Sequence, residues 1–170
     1  MLLKLGVLML MACLSACVPH APSEDAGKNG PSLLANGQKV GGVQVDVDPL
    51  IIARPYRKTL DLYDVTGRIR DGVTTLLRKQ DKYDESSDLM LHVDIADFSL
   101  RSDLSALVYG LAIESDKLVL NVQARKSGVS VKGYTIQSSY GQGGLMNAVG
   151  RSKRLDIAVT SASARVVKGL

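Results

Sequence analysis

The stretch DLMLHVDIADFSL, residues 88–100, decides how this chain folds. Leu89, Leu91, Val93 and Ile95 alternate with Met90, His92, Asp94 and Ala96, and a period of two marks a strand with one face buried and the other wet. Beyond them the apolar series continues at Phe98 and Leu100, on even numbers. The alternation therefore slips by one residue, which predicts a bulge near Ala96 and Asp97.

Working outward, Leu118, Leu120, Val122 and Ala124 form a second alternating run. Ser127 and Gly128 then make a turn, and Val129, Val131, Tyr134, Ile136 and Tyr140 return as a partner strand with a phase change at Gly133. On the N-terminal side, Leu62, Val65, Ile69, Val73, Leu76 and Leu77 recur at helical spacing. Asp61 and Asp64 near the start and Arg78 and Lys79 near the end suit the helix dipole. Before that helix, Val43, Val45 and Val47 alternate with Gln44, Asp46 and Asp48, a half-buried strand that Pro49 ends. After the hairpin, Leu155, Ala158, Val159, Ala162 and Val166 give a terminal helix with Ser152 as its N-cap. The order β-α-β-β-β-α predicts an α+β domain: a mainly antiparallel sheet of about four strands with two helices packed on one face.

The chain opens with one cation, Lys4, and the apolar run LGVLMLMACL, which has the length of a signal-peptide core and is too short to span a bilayer. Its two cysteines, Cys13 and Cys17, stand four residues apart. As a metal pair they lack partners, because zinc takes four ligands and the histidines are His20 and His92. Leu14, Ser15, Ala16 and Cys17 instead resemble the lipobox of bacterial lipoproteins. The resemblance implies a signal peptide over residues 1–16, cleaved before Cys17, with lipid on Cys17 and Cys13 discarded. Val18 follows where a retained inner-membrane lipoprotein of enterobacteria tends to carry aspartate, so the resemblance implies the periplasmic face of the outer membrane. Two or more acyl chains hold a protein on a bilayer without a transmembrane helix. Residues 17–42, rich in Pro, Gly, Ser and Asn, read as a flexible tether, and residues 43–170 as one periplasmic domain.

The strand DLMLHVDIADFSL, the hairpin LVLNVQARKSGVSVKGYTIQSSY and the helix RLDIAVTSASARVV, taken behind a lipobox, resemble the small outer-membrane lipoproteins of the YajG-like type. That likeness implies an accessory envelope lipoprotein with no assigned activity.

Signals for chemistry are sparse. His92 and Asp94 share a strand face, as a base and its orienter would, with Ser99 and Ser102 near in sequence as nucleophiles, but no local catalytic signature accompanies them. Asp81, Asp84, Glu85 and Asp88 supply oxygens without the spacing of a calcium loop. GQGGLMNAVG, residues 141–150, precedes a helix yet departs from the phosphate-binding patterns. Charge is unevenly spread: residues 88–116 hold one cation against six anions, whereas 117–170 hold nine cations against one anion. Lys117, Arg125, Lys126, Lys132, Arg151, Lys153, Arg154, Arg165 and Lys168 thus offer a basic surface to anionic headgroups, peptidoglycan or an acidic protein. Nucleic acid is excluded by the implied export and by a single Phe and no Trp for stacking.

The expectation is a lipid-anchored accessory lipoprotein that binds another envelope component or self-assembles, without catalysis, cofactor or metal. A carrier of a small ligand or lipid in an apolar cavity is the alternative, and a cell-wall hydrolase based on His92 the third reading.

Overall fold

The computed structural model describes residues 33–48, 54–102, 116–140 and 150–170. Cys13, Cys17, His20, the signal segment, the tether up to residue 32 and the loop 141–149 lie outside the described residues.

Four strands make one sheet in the order β1-β2-β3-β4: β1 Gly42–Val47, β2 Leu89–Ser99, β3 Asp116–Lys126 and β4 Val129–Tyr140. Among the described residues three helices accompany them, α1 Arg54–Leu62, α2 Val65–Lys79 and α3 Arg151–Lys168. The class is α+β as expected, with two corrections. β1 runs parallel to β2, Val45 beside Val93, so the sheet is mixed; β2 with β3 and β3 with β4 are antiparallel. A strand followed by a helix and a second strand returns parallel to its neighbour when the helix crosses the sheet. The second correction is that two helices, not one, fill that crossover.

The break between them is local chemistry. Asp64 takes a left-handed conformation, φ 45°, and caps α2 by accepting the Gly67 amide at 3.2 Å. Short polar side chains such as Asp tolerate that conformation. A Cβ on Gly67 would lie 2.3 Å from the Asp64 carboxylate, so any larger residue there would displace the cap. Leu62, placed on the helix face by its spacing, is therefore exposed at the end of α1, while Val65, Ile69, Val73 and Leu77 are fully buried.

The bulge falls where the alternation slips, between Ile95 and Asp97, and it returns Phe98 to the core, where its ring meets Tyr56 of α1 edge-on. Ser127 and Gly128 both have positive φ, the conformation of a tight hairpin turn. The slip in β4 lies opposite Ala124 and Arg125, before Gly133. The cap of α3 is Gly150, not Ser152, and it makes no side-chain cap bond.

All the buried faces point one way. Val45, Val93, Val122 and Tyr134 form one cross-strand row and Val47, Ile95, Leu120 and Ile136 the next, beneath α2 and α3. The helices meet closely: a Cβ on Gly72 of α2 would lie 2.9 Å from the Ser163 hydroxyl of α3. Leu33, Leu34 and Val40, in the stretch read as tether, are also core residues. Val40 bridges to Tyr83, its amide donating to Lys82 O at 2.9 Å, and the Leu33 amide donates to Gly169 O at 3.3 Å. Among the described residues no helix is long and apolar enough to cross a membrane.

Candidate functional site

The sheet face turned away from the helices collects the polar half of each alternation. Register places Asp46, Asp94, Asn121 and Thr135 in one row and Gln44, His92, Gln123 and Gly133 in the next. His92 stands between two carboxylates: its Nε2 is 3.1 Å from Asp94 Oδ1 and 3.3 Å from Asp46 Oδ2. Although on the open face, its side chain is only 12% exposed. Gln44 Nε2 donates to Asp46 Oδ2 at 2.9 Å, and Thr135 Oγ1 donates to Asn121 Oδ1 at 2.8 Å. Among the described residues, no Lys or Arg pairs with Asp46 or Asp94.

His92 and Asp94 do share a face and touch. Neither proposed nucleophile joins them: Ser99 lies seven residues along the same strand, roughly 20 Å away at strand rise, opposite Lys117, and Ser102 lies beyond the strand end. The residue that completes the group is Asp46 of β1, which sequence reasoning missed. Its signal was the matching alternation of the two runs, which puts Asp46 beside Asp94 once the strands are known to be parallel neighbours in this register.

The acidic stretch is not gathered into a site. Asp81 pairs with Lys39 at 2.7 Å, Glu85 with Arg78 at 3.0 Å and Asp88 with Lys126 at 3.4 Å. Asp84 accepts the Ser86 hydroxyl and the Ser86 amide, and those two bonds hold its carboxyl below the usual range.

The basic residues do not form one surface either. Arg154 is buried, donating from Nε to Asp116 Oδ2 at 2.9 Å and from Nη2 to Arg101 O at 2.7 Å. Asp116 also accepts the Arg101 amide at 2.8 Å. Lys117 pairs with Asp97 on the open face, Arg125 bonds Gln123, and Arg165 donates to Gln137 O of the edge strand β4 at 2.7 Å. A shallow groove of about 470 Å³ lies at the β1 side of α2, lined by Arg70, Asp71, Thr74, Arg78, Tyr83 and Met90 among others. With charged and hydroxyl side chains on its wall, it is not the apolar cavity that the carrier reading requires.

A mixed four-stranded sheet with helices on one face and a polar open face therefore defines the class. No protein-family model matches the chain and no curated protein matches it. Solved structures do share the fold. PelC from Paraburkholderia phytofirmans, crystallised as a dodecamer, matches with TM-score 0.50 and 16% identity, over 85% of this chain and 94% of that one. A Xanthomonas campestris protein of the DUF330 family matches with TM-score 0.51 and 14% identity, over 84% and 91% respectively. At such identities the likeness is one of fold.

Proposed function

We propose that this chain is a lipid-anchored accessory lipoprotein of the cell envelope, held by lipid on Cys17 at the periplasmic face of the outer membrane. It works by self-assembly, or by binding another envelope component, and performs no chemistry of its own. The YajG-like resemblance belongs to the same reading. The observation that carries it is the fold shared with PelC over most of both chains, PelC having crystallised as a dodecamer. The edge strand β4 supports self-assembly: its twelve residues end the sheet, and Val129 and Val131 are exposed on it. Apart from Gln137, whose carbonyl accepts from Arg165, an edge of that length offers backbone groups to a neighbouring strand.

The test is native mass spectrometry and light scattering on the lipidated chain extracted from membranes in mild detergent, after crosslinking. A closed homo-oligomer or a defined hetero-complex is the expected result. A monomer at every concentration, with no crosslinked partner, overturns the reading. Palmitate labelling with Cys17→Ala separates the anchor from the assembly: the variant loses label and membrane retention if Cys17 carries the lipid.

A further inference from the structure

We propose that Asp46, His92 and Asp94 form a binding site for one divalent transition-metal ion, zinc being the ion their chemistry fits. One ligand atom from each lies within 4.8 Å of the other two. Two of the separations, 3.1 and 3.3 Å, are hydrogen-bond distances that also match neighbouring ligand atoms on one ion. Zinc–nitrogen and zinc–oxygen bonds of about 2.0–2.1 Å set tetrahedral neighbours about 3.3 Å apart. Closing the remaining gap between the two carboxylates takes a rotation of Asp46, whose side chain is half exposed, with Gln44 following it.

Charge points the same way from independent ground. Asp46 and Asp94 face each other in register on adjacent strands. Like charges directly opposite destabilise a strand pair, and no Lys or Arg among the described residues offsets these. His92 answers only in part, because Nε2 carries at most one hydrogen and two carboxylate oxygens approach it. In the tautomer protonated at Nδ1, the Nε2 lone pair itself faces both oxygens. Three electron-rich atoms then gather around one position, and a cation there, with Asp46 turned toward it, satisfies all of them.

The donor set selects the ion. An imidazole among the ligands disfavours Mg²⁺ and Ca²⁺, which take oxygen shells of six or more, whereas nitrogen with carboxylate oxygen suits zinc. Gln44, donating to Asp46 Oδ2, orients one ligand from outside the shell. With three protein donors, a fourth position remains for water on the open face. Bound metal would also clamp β1 to β2, the parallel pair of this sheet.

The test uses the full-length chain in detergent with Cys13→Ser and Cys17→Ser, since free thiols bind zinc themselves. Zinc uptake is measured by competition with a chromophoric chelator, and the site geometry by the visible bands of Co²⁺ in its place. One equivalent is expected, with a rise in thermal midpoint on zinc addition. Asp46→Asn and Asp94→Asn each weaken binding at least about tenfold, His92→Gln abolishes the Co²⁺ bands, and Asp84→Asn changes nothing. The Asn variants keep the shape of the side chain, and circular dichroism verifies their folding. Unchanged affinity in both folded Asn variants, or no uptake by the folded parent, overturns the proposal.

Discussion

Arg154 shows how a single residue departs from its apparent role. By count it belongs to a run of cations, yet it stands four and eight positions before Ala158 and Ala162, on the apolar stripe of α3, and is 1% exposed. The spacing that marks that stripe also marks Arg154 as an inward residue, so its burial was legible; its partner was not. Asp116, 2% exposed at the start of β3, looked like one more acid of an anionic stretch, and only the packed chain shows it accepting from Arg154 and from the Arg101 amide. Removing one member of a buried ion pair leaves the other charge with a lost desolvation balance. Asp116→Asn is therefore expected to cost roughly 3 kcal/mol in urea unfolding; a cost below about 1 kcal/mol would mark the cluster as solvated. The His92–Asp94 contact was likewise legible from a spacing of two, whereas Asp46 was hidden because its position depends on which strand lies beside β2 and in which direction.

At the scale of elements, periodicity identified β1 to β4, α2 and α3, because each buries one face and that burial sets its pattern. α1 offers too short a stripe to be read: along Arg54–Leu62 the inward side is Tyr56, which meets Phe98, and the fully buried Leu60 four residues on, while Leu62 is exposed. Direction is also invisible to alternation, which explains why the parallel β1–β2 pairing came only with the structure. Contacts between elements are a further layer, and Tyr134 is one of them. From β4 its hydroxyl donates to Val166 O at 2.5 Å, and its ring lies where a Cβ on Gly169 would come within 2.6 Å, so it pins the end of α3. Burial pushes the phenol well above its ordinary value. In the unfolded chain the same group ionises near pH 10, so above that pH the unfolded state holds fewer protons and stability falls as pH rises. Below it the contribution is fully present. Tyr134→Phe should cost about 1 kcal/mol at neutral pH through the lost hydrogen bond. It should also flatten the alkaline decline above pH 10 by up to about 1.4 kcal/mol per pH unit, as read from denaturation midpoints across pH 8 to about 11. An alkaline limb identical to that of the parent would show that Tyr134 ionises freely in the folded protein.

For the whole molecule the question is where the packed unit begins. Composition placed the boundary at residue 43, since the preceding stretch is dominated by Pro, Gly and polar residues. Composition averages over a window, and it dilutes three apolar residues that tertiary packing uses. Leu33 and Leu34 are buried, Val40 has no exposure, and the Gly41 amide donates to Leu89 O at 2.7 Å. Gly41 passes so near Ser87 that a Cβ would lie 1.9 Å from its carbonyl oxygen, so this segment is seated against the loop before β2. A core aliphatic side chain contributes about 1.5–3 kcal/mol when fully buried, and a domain holds about 5–15 kcal/mol in all. A chain starting at residue 43 therefore gives up a large share of its stability, whereas one starting at residue 31 keeps it. Urea unfolding of the two truncations should give a much lower midpoint for the shorter, and Val40→Ala in the longer should cost about 2 kcal/mol. Equal midpoints would mean that residues 33–42 ride on a domain complete without them. A lower midpoint would mean that the packed unit begins by residue 33, so that under the proposed anchoring at Cys17 the tether is shorter than residues 17–42.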